Sequence, residues 1–203
     1  MAERSQTTRE RQAHHTREQI LAAARQLFAE RGYARTTVRD VASAAGVSAQ
    51  TVYDSVGSKQ ALVARLNDVI DSEAGIPELG AGVGRSDDPA EVAVTSARIT
   101  RSIIEHCGDI VRTLVAGADA EPELAAVMAE GQRRHLAGAT LVTGRVRELG
   151  ALAGDDADAV GASLAAITDV RIALVLHDHY GWTLDRVEGW MAARSRSVLL
   201  DGA

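Results

Sequence analysis

The stretch GVSAQTVYDSVGSKQAL, residues 46–62, decides how the rest of the chain is read. A Gly-Val-Ser corner leads into a short polar run with one tyrosine, Tyr53, and then to Lys59, the only lysine among 22 Lys and Arg. Just before the corner, Val38, Val41, Ala42 and Ala45 recur at helical spacing. After it, residues 49–56 predict a second short helix. Ser58 then caps a longer one, whose Leu62, Val63, Leu66, Val69 and Ile70 form a single apolar stripe. Two short helices joined by a turn of about four residues containing Gly make a helix-turn-helix. Val47 and Val52 are spaced to pack back on Val38 and Val41, which turns Ser48, Gln50, Thr51, Tyr53 and Asp54 toward faces that reach a DNA major groove. On topology alone, an ordinary helical hairpin with a polar surface fits equally well.

Working outward, the chain reads all-α, with no convincing alternating strand. Upstream, Thr16 is expected to cap a first helix in which Ile20, Leu21, Ala24, Leu27 and Phe28 make one apolar face, ending at Gly32. Downstream, GIPELGAGVGRSDDP (residues 75–89) reads as a linker whose glycines and prolines interrupt any helix. Further helices are expected from Asp88-Pro89 to about 105, over 109–118, from Glu121-Pro122 to about 149, over 155–180 and over 184–200.

At 203 residues and 46% hydrophobic, the chain is long enough to bury a sizeable core. No stretch approaches about 18 consecutive apolar residues, and the first 15 residues lack the apolar segment of a secretory signal, so a cytoplasmic protein without a membrane partner is expected. The single cysteine, Cys107, excludes an intrachain disulfide and reads as a small buried apolar residue. The net charge of −6 conceals an asymmetry: residues 1–70 carry ten Lys and Arg against seven Asp and Glu, and the remainder carries 12 against 21. A basic end on an acidic body suggests that one end meets a polyanion. Enzyme motifs are absent from the sequence: no Gly-rich phosphate loop, no nucleophile elbow and no His-Glu-x-x-His. His177 and His179, two apart, point to different helix faces, so neither a metal nor any cofactor is expected.

The run from Thr16 to Leu62 resembles the DNA-binding domain of the tetracycline-repressor (TetR) family. The likeness lies in REQILAAARQLFAERGYARTTVRDVASAAGVSAQTVYDSVGSKQAL: Ile-Leu-x-Ala-Ala, Leu-Phe then Gly-Tyr, Thr-Thr-Val, Val-Ala-x-x-Ala-Gly-Val-Ser, Thr-Val-Tyr and Ser-Lys. It implies a flexible basic arm over 1–15, a three-helix DNA-binding domain over 16–60, and a helical effector-binding and dimerisation domain over 61–203. It places Lys59, Thr37 and Tyr53 where the family meets DNA phosphates, contacts that position a protein without reading sequence. Gln50 and Thr51 are then the candidates for base edges, beside Ser48. Departures from the pattern are Val56, where an aromatic is usual, and Asp54-Ser55, which leaves the recognition helix without a cation. Asp54 is left to meet a cytosine amino group or an arginine such as Arg39. The missing charge could come from Arg4, Arg9, Arg11 and Arg17 with His14 and His15.

The same resemblance implies a homodimer, double-stranded operator DNA as partner, and a small-molecule effector held by the central helices. YGWT followed by LDRVEGWM resembles the C-terminal end of many family members, whose last two helices pair with their copies. Val170, Leu174, Val187, Trp190, Met191 and Val198 are the apolar candidates for that interface. No Phe, Tyr or Trp lies between Tyr53 and Tyr180. Walls made of Ile103, Ile104, Val111, Leu114, Val115, Val127 and Met128 therefore favour an aliphatic or compact ligand over a flat aromatic cation. His135 and Arg171 are the polar candidates. Arg171 either clamps a ligand carboxylate or pairs with Asp169, Asp178 or a second copy. The reading is a DNA-binding regulator, a repressor released from a palindromic operator by its effector. Its alternatives are a DNA-binding module without an effector, and a helical small-molecule-binding protein or enzyme with a degenerate DNA-binding end.

Overall fold

Helix α1 (Thr8–Arg31) begins eight residues before the cap expected at Thr16, in a computed structural model that describes residues 8–201. Residues 8–19 contain no Gly or Pro, and pairs such as His14 with Glu18 at 3.4 Å support the extra turns. Residues 8–15 of the expected arm are thus helical, while residues 1–7, Arg4 among them, and 202–203 lie outside the described residues. The helix stops at Gly32, whose N–H returns to the Phe28 carbonyl at 3.0 Å and whose φ of +82° suits glycine.

Helices α2 (Val38–Ala44), α3 (Ala49–Ser55) and α4 (Lys59–Glu73) follow, capped by Thr37, Ser48 and Ser58. Gly46, at φ +68°, makes the corner between α2 and α3, a conformation that residues with a Cβ rarely adopt. The segment expected to be a linker instead contains α5 (Ile76–Val83). Pro77 falls in its first turn, where a missing N–H costs little, and buried Val83 anchors it to the body. After the short α6 (Pro89–Val92), α7 (Thr95–Gly117) spans both helices expected over 88–118, and the boundary between them survives as a kink at Cys107 (φ −131°, ψ 19°). Helix α8 (Pro122–Glu148) matches its expected span.

The long helix expected over 155–180 is divided into α9 (Ala157–Ile167) and α10 (Val170–Leu174), with a π-helical turn over Val175–His179. At the break, the Thr168 carbonyl accepts from the buried Thr100 hydroxyl at 2.6 Å, and Asp169 caps α10 through the Arg171 amide at 2.8 Å. By length and composition alone Ala157–His179 is apolar enough to cross a membrane, with a mean hydropathy of 1.8. In the fold it is a broken segment, with Leu164, Ala173 and Leu174 packed into the protein and its other face open. Helix α11 (Leu184–Arg196) and a π-turn over Ser197–Asp201 complete a fold in which no described residue forms a strand.

Two apolar clusters hold these helices. The larger joins Ile20, Phe28, Val52 and Leu62 of the first four helices to Ile110, Leu114, Leu124 and Met191, so the N-terminal unit and the body share one core. The smaller gathers Val83, Val142, Val146, Leu164 and Leu199. Of the expected interface residues, Leu174, Val187 and Met191 are buried in the chain's own core. Val170, Trp190 and Val198 are half-buried, and Val175 and Tyr180 stand exposed nearby on the π-turn and just after it.

Candidate DNA interface and ligand cavity

The outward face of α3 is ordered by its own side chains. Ser48 Oγ accepts from the Thr51 amide at 3.0 Å and lies 2.8 Å from Thr51 Oγ1. Gln50 Nε2 donates to Asp54 Oδ1 at 2.8 Å, so Asp54 is held by Gln50 and not by Arg39. The Gln50 carboxamide oxygen and the Thr51 methyl stay available. At the start of α2 the Thr37 hydroxyl accepts from the Asp40 amide at 3.2 Å while the Thr37 amide donates to Asp40 Oδ2 at 2.8 Å, a reciprocal capping box, and the hydroxyl donates to the same oxygen at 2.6 Å. These bonds from Thr37 hold the Asp40 carboxyl below its ordinary range. Tyr53 is 52% exposed and so is not wedged between helices.

Lys59, at the first position of α4, lies with Nζ 3.8 Å from the centroid of the Tyr33 ring. Tyr33 is itself buried, its ring centroid 5.3 Å from that of Phe28. The lone lysine thus rests on an aromatic shelf fixed to the core, which limits where its ammonium can go. Arg17 Nε donates to the Ser55 carbonyl at 3.3 Å, placing a cation of α1 at the C-terminal end of α3.

A cavity of about 290 Å³ lies where the two apolar clusters meet, between α4, α5, α7 and α8 and the start of α10. Ile103, Val111, Leu114, Met128 and His135 are brought together around it, with Val127. Ile104 points instead into the core, and Val115 packs against the core without lining the cavity. Arg171 stands outside, donating to Asp169 at 2.9 Å through Nε and at 2.6 Å through Nη2. This corrects its reading as a ligand clamp in favour of the ion pair. Burial opposes the Asp169 charge, yet the bonds from Arg171 leave its carboxyl below the usual range. The His135 ring lines the cavity, and its Nε2 lies 2.9 Å from the Ala165 carbonyl. A carbonyl can only accept, so Nε2 carries a proton, and in the neutral ring Nδ1 is an acceptor.

Sequence reasoning missed Asn67, Thr95 and Ser96, all buried polar residues in the cavity wall, and missed Ile76, Gly80 and Val83 of α5. No periodicity could have found the last three. Asn67, a polar residue between the apolar positions of α4, was the one visible signal.

Residues 20–66 match the sequence model described as bacterial regulatory proteins, tetR family. Over those residues the helix-turn-helix unit is that of the tetR-family model. None of the curated proteins matches its sequence. Among solved structures, a Syntrophomonas wolfei protein described as a TetR-family transcriptional regulator superposes with a TM-score of 0.78 at 16% identity, over 91% of this chain and 95% of its own. SmeT in complex with triclosan gives 0.72 at 22% identity, over 93% of each chain. NalD, the secondary repressor of the MexAB-OprM multidrug efflux pump in Pseudomonas aeruginosa, gives 0.71 at 20% identity, over 95% of this chain and 100% of its own. At these identities the likeness is one of fold.

One arginine ties the helix-turn-helix unit to the cavity wall. Arg25 of α1 donates to both Asp109 oxygens at 2.5 and 2.7 Å, to the His106 carbonyl at 2.7 Å, and to Glu73 at the end of α4 at 2.6 Å. His106 and Asp109 flank the kink of α7 at Cys107, and α7 lines the cavity on both sides of that kink. Burial works against the Asp109 charge, but the Arg25 bonds outweigh it and hold the carboxyl below its ordinary range.

Proposed function

We propose that this TetR-family regulator is a cytoplasmic repressor that binds a palindromic operator as a homodimer and leaves it when a small molecule fills the cavity. Residues 16–60 act as the reading head and 61–203 as the effector and dimerisation body. Lys59 and Tyr53 hold phosphates, joined by Thr37 once its hydroxyl turns from Asp40 to the phosphate, while Gln50 and Thr51, framed by Ser48, meet base edges. A recognition helix without a cation reads few bases, so two half-sites are needed for a specific operator. The open face of Ala157–His179 and the neighbouring half-buried Trp190 supply apolar surface for the second copy. No catalytic role is assigned to the chain.

The observation that carries the reading is the Arg25 joint, which connects α1 and α4 of the head to the α7 kink beside the cavity. A ligand that favours one geometry of α7 thereby favours one placement of the head, and operator DNA must weaken that ligand by the same factor. Selection of bound DNA from a random pool tests the reading, and inverted half-sites occupied by two chains are expected. On that DNA, Lys59→Ala should weaken all sequences alike and lower the log-log salt slope by about 0.9. A selected site without two-fold symmetry, or an unchanged salt slope in Lys59→Ala, would count against it.

A further inference from the structure

The cavity wall holds unused hydrogen-bonding capacity but no unused charge. Thr95 and Ser96, at the start of α7, are 7% and 5% exposed, and neither hydroxyl has a hydrogen-bond partner among the described residues. Asn67, 7% exposed, donates through Nδ2 to the Val127 carbonyl at 3.0 Å, while its Oδ1 accepts nothing among the described residues. His135 adds an Nδ1 acceptor, its Nε2 being engaged by Ala165. None of these atoms is sealed from the cavity, so a ligand that enters it can complete their bonds.

The charged groups at the same wall are already paired. Arg134 donates to Asp71 at 2.6 Å and to Glu130 at 2.8 Å, and Asp169 is held by Arg171. A carboxylate entering here would find no uncommitted arginine or lysine and would face Asp71 and Asp169. An ammonium would compete with two arginines for those carboxylates, in a cavity that has no aromatic ring to receive it. Gln132 also lines the cavity, its amide oxygen placed to accept from Arg171, and the wall that includes Ile70, Ile99, Leu114 and Val142 is aliphatic.

We infer that the effector is an uncharged, non-aromatic lipophile carrying a hydroxyl, an aliphatic alcohol in chemical class. This rests on the proposal that the cavity is the effector site. The hydroxyl donates to Asn67 Oδ1 or His135 Nδ1 and accepts from Thr95 or Ser96, while the hydrocarbon fills the aliphatic remainder. A volume of about 290 Å³ suits a compact molecule, since typical ligand pockets begin at roughly 300 Å³.

Four probes of one size separate the possibilities: octan-1-ol, its isomer 1-methoxyheptane, octanoate and octylammonium, each titrated calorimetrically into the full chain with and without operator DNA. Octan-1-ol should bind about tenfold tighter than the ether, which cannot donate, and about a hundredfold tighter than either ion. The double variant Thr95→Val, Ser96→Ala should fold normally and bind octan-1-ol and the ether alike about tenfold more weakly, since both accept through oxygen, while leaving octylammonium, which cannot accept, unchanged. Tighter binding of an ion, equal binding of alcohol and ether, or no binding of the alcohol would overturn the inference. A probe that binds equally well with and without operator would instead overturn the effector reading.

Discussion

The reading head and the cavity treat their polar side chains in opposite ways. In the head, Thr37, Ser48 and Ser58 each accept from a backbone amide, and Gln50 holds Asp54. In the cavity wall, the Thr95 and Ser96 hydroxyls and the Asn67 oxygen open on the cavity without partners among the described residues. The head is a finished frame that presents a fixed surface to a partner bringing its own charge. The cavity is unfinished, and its partner must supply the missing half of each bond.

The largest expected effect comes from removing the core that the two regions share. Phe28 belongs to the cluster that also contains Ile110, Leu114 and Leu124. Phe28→Ala should cost about 3–5 kcal/mol, and head and body should still melt in a single transition. Two resolved transitions in a calorimeter would break the comparison, because the regions would then be independent bodies.

A smaller effect is expected at the joint. Arg25→Ala should destabilise the chain by about 1–3 kcal/mol and make ligand affinity indifferent to operator DNA, while each site still binds alone. The sign of its pH dependence follows from Asp109. A carboxyl whose folded pKa lies below its unfolded value contributes fully above the unfolded value and loses that contribution as pH falls through the folded one. Coupling in the wild type should therefore be level from pH 8 to about pH 5 and decline only in stronger acid. Linked titrations of ligand and operator across that range would show it.

The smallest effects sharpen the comparison most. Ser48→Ala removes a helix cap and should cost about 1 kcal/mol. Ser96→Ala removes a hydroxyl that bonds to nothing, and should be neutral or stabilising by up to about 1 kcal/mol. Urea denaturation of the two variants decides it: equal losses would mean that the cavity hydroxyl is satisfied after all.

The same contrast explains what could be read in the sequence. The head is built from neighbours in the chain: Ser48 caps the helix it precedes, Gly46 makes the corner beside it, and Gln50 meets Asp54 one turn later. Local rules reach all of these, and the helical class with them. The rest is set at long range. Residues 75–89 look like a linker by composition, but packing of Val83 against the body overrides the glycines of α5. The break after α9 comes from a hydroxyl 68 residues away, on Thr100. Ile104 shares helical spacing with Val111 of the cavity and Arg171 shares a face with Leu164 and Leu174, yet the core takes the first and an ion pair holds the second outside. Spacing along a helix shows which residues share a face, but not what that face meets.

The kink in α7 gives the joint a chemical clock. Cys107 is fully buried there, and its thiol donates to Glu73 at 3.6 Å. Burial first, then the Glu73 charge, pushes its pKa up to about 12, so at neutral pH almost no thiolate exists while the joint is closed. No other cysteine in the chain competes for a thiol reagent. The rate at which Cys107 is alkylated is therefore governed by how often Arg25, Glu73 and α7 part, so the wild-type chain carries its own label for the motion that would release DNA.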